Sequence, residues 1–227
     1  NAFLKILGSY PTEVVALQEL TASSEETLTK ALSESYPFQA FDKQSGLGVF
    51  SQFPMRDHKT HIVESGSIQS IVIDVREKPL HLVNAHLART GILKFFETWD
   101  TNFIRDSVIA RSNQVASIKE IVDQTGMMAI VACDCNMTDL TSTYSQITSS
   151  LQDAYREQGW GFGHTFLIPR GFEISSKVNL PFQRIDYLFN SQRVRTVKIR
   201  VISEDIGSDH RPIWAQFDLG KSIITNQ

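Results

Sequence analysis

The chain has 227 residues, a net charge of −3, 41% hydrophobic and 21% charged residues, the make-up of an ordinary globular protein. A chain this long can bury a core without a disulfide or structural metal. Its slight acidity argues against a broad basic surface for nucleic acid, although a local basic cleft or a bound cation can serve the same phosphates. No run approaches the roughly 20 apolar residues of a membrane span. The chain opens at Asn1 rather than Met, so an upstream signal or membrane anchor stays open, and with it the compartment.

Residues 2–7 read as the second half of an amphipathic helix stopped by Gly8. Residues 13–17 (EVVAL) read as a buried strand. A helix is expected over 25–33 behind a Ser/Thr cap, then a short strand over 46–51. Strands over 68–75 and 80–85 joined by REKP predict a hairpin. Apolar residues at 104, 108, 115, 118, 121 and 122 predict a long helix over 103–124, ended by Gly126. The continuous apolar run 127–133 predicts a strand buried on both faces. A helix over 144–155, a Gly-rich loop over 159–163, and strands over 185–189, 196–202 and 213–217 complete the pattern. There are no repeats, linkers or low-complexity segments, so residues 1–227 are expected to form a single domain of packed sheets with helices outside.

Several polar side chains stand where core logic does not want them. Glu19 follows the strand VVALQ; His86 ends LHLVNA; Asp134 and Asn136 follow MMAIVAC; Asp186 interrupts an apolar run; Asp209 and His210 precede PIWAQF. Polar groups at strand ends gather along one sheet edge, where ligands bind, and buried carboxylates need a cation or donor. Each also has a plainer reading. Glu19 suits a solvated strand end, Asp134 a turn cap, and Asp186 a partner for Arg184 or Arg170. His86 suits a hydrogen-bonded core histidine, and Ser208 a turn cap. The joint order of LQE (17–19), NAH (84–86), CDCN (133–136), RID (184–186) and SDH (208–210) favours a site. On an extended segment Asp134 and Asn136 face one side, and Cys133 and Cys135 face packing on the other. Residues two apart on a strand are poorly placed for a disulfide, and C-x-C fits neither a zinc ribbon nor a redox pair.

Together these runs resemble the endonuclease/exonuclease/phosphatase superfamily over almost the whole chain. The resemblance implies a four-layer α/β sandwich of two mixed, mainly antiparallel sheets flanked by helices, as in DNase I-like proteins. It implies a divalent-metal-dependent phosphoesterase using activated water, with Mg2+ as cofactor and Mn2+ as the alternative. Glu19 resembles the carboxylate that binds the metal, and Asp209 a second acid near the metal or outside it. Asp134 resembles the group that orients or deprotonates the attacking water, with Asn136 beside it. His210 resembles a phosphate-contacting histidine oriented by Asp186, and His86 a second one. Asn84 resembles a phosphate or support residue, while Arg89, by its place in a loop, is a substrate-binding candidate or an ordinary surface residue.

This set suits the chemistry. Mg2+ prefers hard oxygen ligands and acts as a charge clamp. Histidines donate to phosphoryl oxygens or protonate the leaving group. Two departures stand out. Cys133 replaces the glycine usual before the Asp-x-Asn motif. The family's opening strand, which ends in an Asn, is absent from the sequence, and Asn1 is too close to Glu19 to replace it. The expectation is that the native protein carries that strand upstream, so that the domain as given is N-terminally incomplete.

The histidine of NAH is similar to the DNase I, sphingomyelinase and phosphatase side of the family. The expected partner is a phosphate-ester substrate: nucleic acid, phospholipid or inositol phosphate. A monomer without an obligate protein partner is expected. The alternatives are a DNA or RNA endonuclease with the same centre, or a non-catalytic binding module on the fold. Arg156, Arg170, His164, Trp160 and Phe162 lie in loops that could frame a substrate or simply serve packing and surface.

Overall fold

The computed structural model describes residues 2–90, 97–167 and 181–220. Asn1 and Arg170 lie outside them. The chain opens with helix α1 (Ala2–Ser9), strand β1 (Val14–Leu17) and helix α2 (Ala22–Leu32). Thr21 starts α2 with a capping box: its hydroxyl accepts from Ser24 N–H, and the Ser24 hydroxyl accepts from Thr21 N–H. Strands β2 (Phe38–Asp42) and β3 (Leu47–Ser51) complete a three-stranded sheet in the order β1-β3-β2. Only Val15 of β1 is buried, less than its apolar run predicts, because β1 is an edge strand of this sheet.

The larger sheet is built from β4 (Met55–Val63), β5 (Gly66–Val75), β6 (Lys78–His86) and β7 (Met128–Asp134), with β8 (Gln152–Asp153) and β11 (Asp186–Asn190) beyond them. Its order is β4-β5-β6-β7-β11-β8. The predicted hairpin is β5–β6, while the polar strand β4 and the short β2 gave no clear apolar pattern in the sequence. β6 and β7 are parallel, joined through the long helix α3 (Asn102–Thr125). Gly126 ends α3 in the left-handed conformation, with φ 57°.

The single helix expected over 144–155 is instead α4 (Ser142–Thr148), β8 and α5 (Ala154–Gln158). The first helix ends at Thr148 with Ser149 as its C-cap, and a new one begins at Ala154 because Asp153 caps it, accepting from Tyr155 N and Arg156 N. A two-stranded pair, β9 (Phe166–Leu167) and β10 (Pro181–Gln183), follows. Strands β12 (Arg195–Val201) and β13 (Ile213–Asp218) pair at the end.

Three apolar layers hold the stack. α1 and α2 cover Val15 and Phe50 of the small sheet with Leu28, Leu32, Leu4 and Leu7. Val49 of the small sheet meets Ile71, Ile73, Leu80, Leu82 and Ile130 of the large one. Ile118, Val115, Tyr144 and Ile147 of α3 and α4 cover its other face at Ile68, Val83, Val131 and Phe189. Each fully buried Ile, Leu or Phe contributes about 1.5–3 kcal/mol over an exposed one. The result is a four-layer α/β sandwich, as the family resemblance implies. Among the described residues no helix is long and apolar enough to cross a membrane.

Candidate active site

Strand alternation decides where the site lies. On β6, Leu80 and Leu82 face the small sheet, so Asn84 and His86 face it too. On β7, Ile130 does the same, and Asp134 follows at the same phase. Register then aligns the strand ends: His86 pairs with Asp134 across β6–β7, and Asp134 with Asp186 across β7–β11. Three chemical side chains thus stand in one row at the end of the large sheet. Glu19 enters from the small sheet, just past β1, with φ 58°. Asn136 is also left-handed, with φ 48°. Such conformations cost non-glycine residues about 1 kcal/mol or more and concentrate at functional sites.

The distances make two linked groups among the described residues: Glu19, His86 and Asp134, and Asp134, Asp186 and His210. His86 Nε2 lies 3.6 Å from Glu19 Oε1 and 3.6 Å from Asp134 Oδ2. That nitrogen is buried without a hydrogen-bond partner among the described residues. His210 Nδ1 lies 2.9 Å and 3.0 Å from the two Asp186 oxygens. An ionised carboxylate only accepts, so the proton sits on Nδ1 and Nε2 is left for other work.

The electrostatics push the two histidines apart. Burial holds the His86 pKa below the ordinary histidine value, against the opposing pull of Glu19. Burial also works against a charge on His210, but the bond to Asp186 and the fields of Asp186, Asp134 and Asp209 outweigh it and push its pKa up to about 9. Burial and the neighbouring charge of Asp186 push Asp134 up to about 7. Burial opposes ionisation of Glu19 as well, but Arg89 outweighs it and holds Glu19 below the usual range.

The supporting residues are specific. Asn84 is 0% exposed. Its amide donates to Leu17 O at 3.1 Å, Gly48 O at 3.3 Å and Gln69 Oε1 at 3.1 Å, and its oxygen accepts from Gln18 Nε2 at 2.6 Å. These bonds tie β6 to β1 and β3, beside the segment that carries Glu19. Helix α3 braces the chain after His86, where Arg111 donates to Ala88 O and Gln114 accepts from Ala88 N. Gly66 makes room for this, since a Cβ there would lie 2.3 Å from Gln114 Nε2 and 2.8 Å from His86 O. Asn136 donates its backbone N–H to Asp134 Oδ1 and its amide to Leu87 O.

Other expectations are corrected. Asp209 belongs to neither group. Asp209 is exposed, and its negative field raises the pKa values of His210 and Arg89. Asp186 is not paired with Arg184, which is buried against Asp153 and Asp139. Arg156 also pairs with Asp139. Ser208 does cap its turn, accepting from His210 N at 3.0 Å. Trp160 and Phe162 do not pack under their loop, being 94% and 86% exposed; Phe162 stacks on His164. Arg89 pairs with Glu19 while its side chain stays 73% exposed.

Cys133 and Cys135 are joined by a disulfide, against expectation. Their Cα atoms are 5.1 Å apart, closer than the roughly 6.6 Å of residues two apart on an extended strand. β7 ends at Asp134, and the contraction of the chain before the left-handed Asn136 brings the two sulfurs together.

The sequence model of the endonuclease/exonuclease/phosphatase family matches residues 1–210. The chain belongs to this family. Solved structures agree on the fold. A family member from Bacteroides thetaiotaomicron superimposes with a TM-score of 0.69 at 14% identity, covering 95% of this chain and 86% of that one. TDP2 from D. rerio, complexed with a single-strand DNA product, gives 0.72 at 16% identity over 95% and 90%. A mannosyl-6-phosphatase from B. thetaiotaomicron gives 0.68 at 14% over 95% and 89%. No curated protein sequence matches the chain significantly. Membership supports hydrolysis of phosphate esters as the class of activity.

Proposed function

We propose that the protein hydrolyses a phosphodiester or phosphomonoester by attack of an activated water, with a divalent cation bound at Glu19 and Asp134. The observation that carries the reading is the pair of histidines on one carboxylate row, one held neutral by burial and one held charged by Asp186. Opposed protonation of neighbouring groups is how acid and base roles are divided.

The donor set fits a cation. Glu19 and Asp134 offer hard oxygens toward the partnerless Nε2 of His86. A positive charge there would also reverse the rise in the Asp134 pKa. Mg2+ is the proposed ion, with Mn2+ the alternative; when bound, it supplies Lewis-acid charge for the phosphoryl oxygens.

The residues then divide the work. Asp134, once ionised, orients the water and takes its proton, held by Asn136 N–H. His210, charged, donates from Nε2 to the phosphoryl group or to the leaving oxygen. Asp186 fixes its tautomer. His86, neutral, donates or accepts at the opposite side of the same phosphate. Arg89 offers a guanidinium to the phosphate from the rim.

Nucleic acid, phospholipid and sugar or inositol phosphates are all substrates of the right chemistry. TDP2 with its DNA product and the mannosyl-6-phosphatase motivate the first and last. The test is a panel of single-stranded DNA, phospholipid, inositol phosphates and sugar phosphates beside a generic aryl phosphodiester, with and without Mg2+ or Mn2+. Absence of cation-dependent turnover of every member would refute the reading.

A further inference from the structure

We propose that Thr165 and Phe166, at the start of β9, are the positioning residues that hold Asp186 and His210 in register with each other. The catalytic meaning of that pair rests on the function proposed above; the positioning does not.

Asp186 and His210 lie on separate pieces of the fold. Asp186 opens β11 in the six-stranded sheet, while His210 sits in the turn before β13, outside that sheet. No strand ladder joins the two, yet their side chains meet at 2.9 Å. The link runs through residues 165–167. On one side, Thr165 Oγ1 accepts from Ile185 N at 3.2 Å and from Asp186 N at 3.1 Å, and Thr165 N donates to Gln183 O at 2.9 Å. On the other, Arg211 N donates to Thr165 O at 2.7 Å and Leu167 N donates to Asp209 O at 2.8 Å, with Phe166 bridged to His210 between them. The Phe166 ring also meets the imidazole edge-on, with centroids 5.2 Å apart.

Thr165 is 0% exposed. A hydroxyl oxygen that accepts two N–H groups uses both its lone pairs, so its position is fixed from two directions. The same residue then grips Asp186 through its side chain and the His210 turn through its carbonyl. β9 itself is only two residues long. Its bonds serve the loops on either side more than any sheet of its own. Upstream, the Gly-rich loop is pinned by the Tyr155 hydroxyl, which donates to Trp160 O, so the strap is anchored on α5.

The experiment reads the strap without substrate or metal. The Nδ1 proton of His210, bonded to Asp186, gives a far-downfield proton resonance, assigned by its disappearance in His210→Gln. Thr165→Val keeps the shape and removes the acceptor; the resonance is expected to be lost or broadened while thermal unfolding stays cooperative. Thr165→Ser keeps the acceptor and is expected to keep the resonance. On an aryl phosphodiester, Thr165→Val lowers kcat about tenfold or more with KM unchanged, as expected for displaced groups rather than lost binding. Thr165→Ser stays within about twofold. An unchanged resonance in folded Thr165→Val overturns the proposal, and so does loss of the resonance in Thr165→Ser, which decides alone should the valine variant fail to fold. Because the resonance is read on the free protein, the positioning survives or fails whether or not any phosphate ester is turned over.

Discussion

Asp134 and Asp186 are register partners on β7 and β11, two carboxylates on neighbouring strands with one buried. Asp186 disfavours the charge of Asp134, and His210 hydrogen-bonds directly only to Asp186. The site is therefore arranged around a deficit of positive charge.

That deficit fixes a pH dependence. The folded pKa of Asp134 is raised to about 7, so the stability it favours belongs to the protonated form and fades as pH rises through 7. The folded pKa of His210 is raised to about 9, so its contribution is complete below the ordinary value of 6.5 and is lost as pH rises through 9. Both act in the same direction. Below the ordinary 6.5, His86 and His81, held neutral by burial, act the opposite way, so without metal the Tm is expected to fall between pH 7 and pH 9, and added Mg2+ or Mn2+ to raise it more at pH 8 than at pH 5. Thermal melts at those pH values check this; a metal-free Tm that climbs across the window would contradict it.

Glu19→Ala and Asp134→Ala are expected to lower cation-dependent phosphodiester hydrolysis by about 10²–10⁴-fold. Steady-state kinetics on an aryl phosphodiester measure it. Activity that survives both substitutions would mean that the site assignment is wrong.

Arg89 holds the Glu19 carboxylate from an exposed position and so competes with a metal ion for it. Arg89→Ala is expected to tighten Mn2+ binding several-fold in the absence of substrate and to raise KM for phosphate esters. Titration calorimetry with the metal alone separates the first effect from the second.

Asn84→Leu removes the amide that joins β6 to β1 and β3 and strands its partners in the core. A loss of about 3 kcal/mol is expected, read from urea unfolding. A loss of activity without a loss of stability would instead point to direct contact with substrate.

The disulfide Cys133–Cys135 brackets Asp134. Denatured, unreduced protein is expected to resist iodoacetamide and to take two labels after reduction, as intact mass would show. Cys133→Ser with Cys135→Ser would then report whether the bond helps aim Asp134, through kcat at unchanged KM.

The local signals in the sequence carried far. Periodicity at 104–122 with Gly126 after it marks α3, because burying one helical face needs that spacing. REKP between two apolar runs marks the β5–β6 hairpin. The polar β4 was not legible, since it is a largely exposed edge strand with no apolar stripe, and its place is set by pairing with β5. The helix expected over 144–155 ends at Thr148, and the Asp153 side chain starts a separate helix at Ala154.

By itself the sequence singled out which side chains are candidates for chemistry, because a carboxylate or histidine at the end of an apolar strand is costly unless something uses it. Glu19, His86, Asp134, Asp186 and His210 were all legible that way. Only the tertiary structure decided who stands beside whom. Register put Asp134 between His86 and Asp186, the turn before β13 brought His210 onto Asp186 while leaving Asp209 exposed, and the contracted end of β7 joined two cysteines that an ideal strand would keep apart. Thr165 belongs to the same class: one hydroxyl acquires meaning only when β11 and the His210 turn arrive from distant parts of the chain. Sequence neighbours set chemistry and phase; contacts between distant strands set geometry, and geometry is fixed only when the whole stack of sheets and helices closes.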